Sequence, residues 1–443
     1  MIHDSTVIDH SISSVFHVLI HRDPGTVMNK ASNQQWDLVG DIHGEREALE
    51  LLLAKLDYRE EGGVISHPGG RKLLFLGDYI DRGPDSRGVL HLVRRLVDSG
   101  MALAILGNHE FNFIAWHTQD ESGRYLRSHS EDHARQVAET LGSFAGYEAE
   151  IPEWVEWMKG LPFFVDLGDL RAVHAAWVPG DIAFLAGRSL MDRDFLIEAN
   201  RRESEAWHAV GKVVKGVELR MPKGVTLVDT NLIVRKDMRV RWWGSIAGLT
   251  WEEIAFPLRP GLPEGPADLR GLDGILAYGP EEPPVFFGHY KLIDYPVAPQ
   301  AANVASLDFG LGHGGPATAY RWDGERVIEP ARFVQTPVFK VFVDDNFAYM
   351  DEDARSFAGR FYDFDRALEL AKRIVDRSLA ENLQPGMSAE ALVDRYESFG
   401  DDAFVIPTPE GIKPFSAWDY AKERAGEMIV QLHGLKDEVS RQA

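Results

Sequence analysis

Six side chains that bind metal ions well stand in short glycine-bearing blocks or at apparent strand ends. Asp41 and His43 lie in Gly40-Asp41-Ile42-His43-Gly44, Asp78 in Gly77-Asp78-Tyr79-Ile80-Asp81-Arg82-Gly83, and Asn108 in Gly107-Asn108-His109-Glu110; His174 follows Val173 and His289 follows Gly288. Carboxylate, amide and imidazole donors without thiolates suit Mn, Fe or Zn better than Ca. Gathered around two ions, they would acidify a shared water and polarise a phosphoryl oxygen, which is the chemistry of metal-assisted phosphoester hydrolysis. Asp41 and His43 sit two apart on a tight turn and can face one ion. Asp78 can bridge both ions, and Asn108, His174 and His289 can complete the second. On the turn after Asp78, Arg82 can clamp two phosphoryl oxygens. His109 is placed to protonate a leaving oxygen, with Asp81 accepting its other N–H.

These residues need a scaffold that ends several strands at one place. Asp37-Leu38-Val39 reads as a strand ending at Gly40, and Leu49, Leu52, Leu53 and Leu56 then form one apolar helical stripe. Lys72 to Leu76 reads as a second strand, Val89, Leu92, Val93 and Leu96 as a second helix, and Met101 to Leu106 as a third strand. This is β-α-β-α-β, with about 30 residues per unit. The apolar runs are continuous, so burial on both faces with helices on each side is expected. Each polar block follows the carboxyl end of a strand, where open α/β sheets place ligands.

The rest of the chain reads less sharply. Residues 1–35 are a polar leader, 117–150 a polar helical insertion, and 178–283 a cap or insertion within a domain spanning 36–330. Near Thr336 the composition shifts, and 331–443 reads as a small α+β domain with a strand at Val338–Val343 and helices near Arg366–Leu379, Ala389–Glu397 and Trp418–Leu432. His3, His10, His17, His21 and His91 have no such surroundings and read as ordinary polar residues. Trp242-Trp243 reads as packing, the acidic run 344–353 as a solvated loop, and Asp85 or Ser86 as a helix cap.

Composition narrows the function classes. Lys+Arg number 47 and Asp+Glu 69, a formal charge of −22, so nonspecific nucleic-acid binding is not expected. There are no cysteines, which excludes disulfides and a cysteine nucleophile and fits a cytoplasmic protein. No apolar run reaches membrane-spanning length, so no membrane association is expected.

The blocks Gly-Asp-Ile-His-Gly, Gly-Asp-Tyr-Ile-Asp-Arg-Gly and Gly-Asn-His-Glu resemble those of the calcineurin-like metallophosphoesterases. Within that superfamily they are similar to the branch of serine/threonine protein phosphatases and symmetrical diadenosine tetraphosphatases, over about residues 36–325. The resemblance implies an α/β fold with packed sheets flanked by helices. It implies two ions (Mn, Fe or Zn, with Mn serving in vitro), the first held by Asp41, His43 and Asp78, the second by Asp78, Asn108, His174 and His289. It gives Arg82, Asn108 and His109 to phosphate, with His109, Asp81 and Arg82 catalytic, and a metal-bridging hydroxide as attacking group. The implied substrate is a phosphorylated protein, with Glu110 leaning that way because diadenosine-cleaving relatives more often close the block with Asp. The alternatives are a dinucleoside polyphosphate or other small phosphoester, and a dead phosphate-binding scaffold. Asp308 in the Ser306–Gly310 block is expected to support the site rather than react. Family members also bring an arginine from before the last histidine, and Arg235, Arg239 and Arg241 are the candidates. Two departures bear on substrate choice: Ala175-Ala176 where protein phosphatases carry Gly-Gly, and Tyr290 where Thr or Ser is commoner.

Overall fold

The computed structural model describes residues 34–228, 234–258, 261–270, 272, 278–348 and 355–442. The leader up to residue 33 and the acidic stretch from 349 to 353 lie outside these. The chain divides into two compact units, Met1–Gln335 and Thr336–Ala443.

The first unit begins with the alternation read from sequence: β1 (Trp36–Val39), α1 (Arg46–Lys55), β2 (Lys72–Phe75), α2 (Ser86–Asp98), β3 (Ala102–Ala104) and α3 (Asn108–His117). Asp85 caps α2, accepting from the Gly88 N–H at 2.7 Å. The polar insertion then supplies α4 (Glu131–Ser143), followed by α5 (Ile151–Lys159), β4 (Phe164–Asp166) and β5 (Arg171–Val173). Three helices, α6 (Pro179–Leu185), α7 (Arg193–Asn200) and α8 (Glu205–Lys215), precede a stretch of short strands. The chain returns through β6 (Val285–Phe287), β7 (Val304–Ser306), β8 (Thr318–Trp322) and β9 (Phe333–Gln335).

These strands make two sheets. The first has the order β9-β8-β1-β2-β3, with β1, β2 and β3 parallel (Leu38 opposite Leu74, Leu74 opposite Leu103) and β8 antiparallel to β1. The second has the order β7-β6-β5-β4, with β4 antiparallel to β5. Leu38, Leu74, Ile105 and Tyr320 share one buried cluster with Ala172, Phe286 and Ala305 of the second sheet. The strands are indeed buried on both faces, but one face meets another sheet and not a helix layer. Continuous apolar runs cannot distinguish these two coverings, because both exclude water equally. The charge inside β1 is satisfied: the buried Asp37 carboxylate accepts from Arg71 (2.8 Å) and from the Tyr58 hydroxyl (3.0 Å).

The second unit is a three-stranded antiparallel sheet with helices. It contains β10 (Phe339–Asp345), β11 (Ser356–Phe361), α9 (Phe364–Asn382), α10 (Ala389–Phe399), β12 (Asp401–Ile406) and α11 (Ala417–Gln442), with strand order β11-β10-β12. Val341, Ala371, Val375, Leu379, Leu392, Tyr396 and Ala403 build its core. The boundary read at residue 330 moves to 335, because Phe333–Gln335 pairs with β8 and extends the first unit's sheet.

Candidate dinuclear metal centre

Each sequence block lies where a strand has ended. The chain leaves β1 into Asp41 and His43, β2 into Asp78, Asp81 and Arg82, β3 into Asn108 and His109, β5 into His174, and β6 into His289. The backbone turns sharply at all but two of these strand ends. His43 (φ 48°), Asp78 (54°), Asp81 (70°), Arg82 (71°) and His289 (72°) all occupy the left-handed region, which costs a residue other than glycine about 1–2 kcal/mol. Five such residues in one place indicate a geometry held by its surroundings.

Buried polar groups do the holding. His43 Nδ1 lies 3.1 Å from the Ile80 carbonyl and His174 Nδ1 lies 2.7 Å from that of Leu76. Each therefore donates from Nδ1 and aims the Nε2 lone pair inward. His43 Nε2 is 3.7 Å from Asp78 Oδ2 and 3.8 Å from Asp41 Oδ2. His174 Nε2 is 3.3 Å from Asp78 Oδ1 and 3.1 Å from Asn108 Oδ1. His289 places Nδ1 2.6 Å from the same amide oxygen, and its buried Nε2 has no hydrogen-bond partner among the described residues. The Asp41 carboxylate accepts the His289 backbone N–H at 3.0 Å.

Two overlapping donor groups result, His43–Asp78–His109 and Asp78–His174–His289, each with its donor atoms within 4.8 Å of one another. Asp78 belongs to both. Asp41 lies beside His43, its Oδ2 3.8 Å from Nε2, just outside these tight triads, while His109 falls within the first. Lone pairs of Asp78, Asn108 and His174 face one another, and His289 Nδ1 stands against the same Asn108 oxygen; cations reconcile such an arrangement, so the residues present fit a pair of metal ions.

Electrostatics agrees with that fit at His43 and His289, whereas at His174 burial is outweighed by the Asp78 carboxylate, which raises the imidazole. Burial, then the charges of Asp308 and Asp78, push the Asp41 carboxyl well up. Burial alone would raise Asp78 too, but the imidazoles of His174 and His109 outweigh it and hold it well below the usual range. Burial and the Arg82 guanidinium hold His43 neutral, and burial with Arg239 does the same for His289. Neutral imidazoles are the form that ligates.

Arg82 and His109 stand together at this centre. The Arg82 guanidinium donates to His43 Nε2 (2.9 Å) and to His109 Nε2 (3.2 Å). His109 Nδ1 donates to Asp81 Oδ2 at 2.6 Å. Asp81 is itself fixed: its other oxygen accepts the Thr140 hydroxyl, and its N–H donates to Thr140 Oγ1 at 2.9 Å and Ser86 Oγ at 3.1 Å. Thr140 lies on α4, in the polar insertion, where nothing in the local sequence marks it.

Glu110 has a different role from the one read in sequence. It is fully buried and accepts from the backbone N–H groups of Gly107 (3.0 Å), Asp78 (2.9 Å), Tyr79 (2.7 Å) and Ile80 (3.3 Å). Burial and the nearby Asp78 raise its pKa to about 7. It ties the β2 turn to the α3 N-terminus and touches no substrate space, so it says nothing about which phosphoester binds.

Other expectations resolve similarly. Asp308 accepts from the Lys291 N–H (2.6 Å) and the Gly310 N–H (2.9 Å), bracing the loop after His289. Of the three arginines, Arg239 is the one whose charge acts on His289; its guanidinium lies 5.8 Å from the Tyr290 ring centroid. Arg241 donates to the Ser245 carbonyl at 3.0 Å, and Arg235 sits exposed on a two-residue strand, Val234–Arg235. Trp242 and Trp243 are buried and pack on Phe287. Ala175, Ala176 and Tyr290 are all buried, so they shape the site through packing: Tyr290 lies against Phe256, and the Ala175 N–H donates to the Val213 carbonyl of α8 (2.9 Å).

The family profile described as calcineurin-like phosphoesterase matches residues 37–228. Over those residues the chain is similar to the calcineurin-like phosphoesterases. Over 73 residues the chain is 48% identical to the asymmetrical bis(5′-nucleosyl)-tetraphosphatase PrpE of Oceanobacillus iheyensis, covering 16% of this chain and 29% of that protein. The symmetrical bis(5′-nucleosyl)-tetraphosphatase of Ralstonia nicotianae is 28% identical over 179 residues, 38% of this chain and 55% of that one. A solved structure of a proposed diadenosine tetraphosphatase aligns with 69% of this chain and 95% of its own, at 19% identity and a TM-score of 0.34. The chain thus spans between about a third and about half of the curated relatives it matches. No helix among the described residues is long and apolar enough to cross a membrane.

Proposed function

We propose that this chain is a cytoplasmic, metal-dependent phosphoester hydrolase whose substrate is a dinucleoside polyphosphate. The observation that carries the reading is the pair of donor triads sharing Asp78, with Arg82 and His109 beside them. His43, Asp78 and Asp41 would hold one ion and Asp78, Asn108, His174 and His289 the other; when bound, such a pair supplies an acidified water and positive charge for the phosphoryl group. Arg82 holds phosphoryl oxygens, taking them in place of the two imidazole nitrogens it now contacts. His109 gives a proton from Nε2 to the leaving oxygen, while Asp81 keeps Nδ1–H fixed and stabilises the imidazolium. Arg239 adds its charge near His289 and Tyr290.

The dinucleoside reading rests on what the similar proteins are named for, and it displaces a protein substrate, whose support in sequence was Glu110. The test is a side-by-side assay of diadenosine tetraphosphate, a phosphoserine peptide and p-nitrophenyl phosphate with Mn²⁺, with Asp78→Asn as control. Diadenosine tetraphosphate should give the highest kcat/KM, and Asp78→Asn should abolish turnover. A higher kcat/KM for the peptide would return the protein-phosphatase reading. No metal-dependent turnover in the unaltered chain would favour a binding scaffold.

A further inference from the structure

The helices of the second unit cover one face of its three-stranded sheet. Along β10, Phe339 and Val341 turn into the core with Val343 packed against it, and their neighbours across the ladder do the same: Phe361 on β11, Val405 and Ala403 on β12. The alternate residues face the other way. They fall in three rows across the strands: Arg360, Lys340 and Ile406; then Phe357, Phe342 and Phe404; then Asp344 and Asp402, with Arg355 beside Asp344. An antiparallel sheet with one solvated face should carry polar side chains there. This one carries three phenylalanines at its centre, the Phe342 ring centroid lying 5.7 Å from that of Phe357 and 5.9 Å from that of Phe404. None of the three belongs to the core cluster; Phe357 is 60% exposed, and Ile406 in the next row 46%.

The two ends of this face differ in charge. Lys340 and Arg360 stand opposite each other on β10 and β11 and make one end basic. Asp344 and Asp402 stand opposite each other on β10 and β12 at the other end, where Arg355 offsets one of them through a 2.8 Å contact with Asp344. Burial and Asp344 push the Asp402 carboxyl up to about 6, so further positive charge would relieve this end. Along the strands the face thus runs from basic through aromatic to acidic. A patch in that order is complementary to itself when a second copy is turned about a twofold axis lying across the strands: the aromatic rows meet, and each basic end lies over an acidic one. An axis along the strands would set like charges together. A single-stranded nucleic acid also stacks on aromatic sheet faces, but it would meet Asp344 and Asp402 on a chain carrying −22. That net charge repels a second copy as well; salt screens it beyond about 8 Å at physiological ionic strength, whereas the opposed rows would be in contact.

We propose that this sheet face is the interface of a homodimer, in which two copies pack face to face through Phe342, Phe357 and Phe404, with Lys340 and Arg360 of each copy set against Asp344 and Asp402 of the other. Sheets packed in this way lie about 10 Å apart, with the side chains of the two faces interleaved. Burial of the rings supplies the driving force, and the charged rows fix the relative direction of the strands. The inference is independent of the hydrolase reading, since none of these residues belongs to the metal centre.

The test is sedimentation velocity on the full chain and its variants. The unaltered chain should sediment with the mass of two chains at micromolar concentration. Phe357→Asp changes an exposed position, so the far-UV spectrum should be retained while the dimer dissociation constant rises about a hundredfold or more, the substitution being made twice in a symmetric pair. Charge reversal tests the direction of packing. Lys340→Glu with Arg360→Glu in one chain, and Asp402→Lys in another, should each be monomeric alone, and an equimolar mixture should form a dimer containing one chain of each. A chain that is monomeric throughout, a dimer indifferent to Phe357→Asp, or a mixture that stays monomeric would overturn the proposal. So would a monomeric chain that binds a single-stranded oligonucleotide and loses it in Phe357→Asp, which would give the face to nucleic acid.

Discussion

Asp78 is the residue on which the site turns, since both donor triads include it and its carboxylate also accepts the His109 N–H at 2.9 Å. His109 is the residue whose role is most specific to the reaction. If it protonates the leaving oxygen, His109→Gln should lower kcat by about 10²–10⁴-fold for an alkyl phosphate and much less for p-nitrophenyl phosphate, whose leaving group needs no proton. Equal losses on both would mean that the imidazole only binds. Glu110 belongs to a third kind, a brace. Glu110→Ala would strand four buried backbone N–H groups, so thermal or urea unfolding should show a loss of about 2–4 kcal/mol along with weakened metal retention. Wild-type stability in that variant would contradict the bracing role.

At the scale of elements, the strands are short and the turns do the positioning. Gly288 shows how tightly: a Cβ there would strike Asp41 Oδ1, while the next residue's N–H holds the same carboxylate. Gly288→Ala should therefore displace Asp41 and lower metal occupancy of the first position, measurable by elemental analysis, with the far-UV spectrum retained. The β-α-β-α-β run was legible because its apolar stripes are long and its motifs recur at strand ends. The donor residues were legible because Asp, Asn and His stand in short glycine-bearing blocks or directly after an apolar strand. The sheet-on-sheet packing came only through the family resemblance and was not legible in the apolar runs, since Leu38 and Leu74 look the same in sequence whether Phe286 or a helix covers them. Nor was the anchoring of Asp81 by Thr140, which depends on bringing together residues 59 positions apart. The stretch 178–283 was the least legible, because the described part after its three helices is built of short strands that carry little periodicity.

On the scale of the whole molecule, every residue given a role in hydrolysis lies in the unit ending at Gln335, and the second unit has its own sheet, helices and core. A chain ending after Gln335 should accordingly fold and keep kcat/KM for diadenosine tetraphosphate within about twofold; a large fall would assign the second unit a part in turnover. In a chain at −22, cations bound at the strand ends would supply the local positive charge that draws an anion in. The central claim is that the strand-end donors hold a pair of ions through a shared Asp78. The most direct measurement is metal content per chain after reconstitution with Mn²⁺ and desalting, for the unaltered protein and for Asp78→Asn. The account predicts two ions per chain, with both lost or severely weakened in the variant; a chain that retains no metal, or a variant that retains both ions, would contradict it.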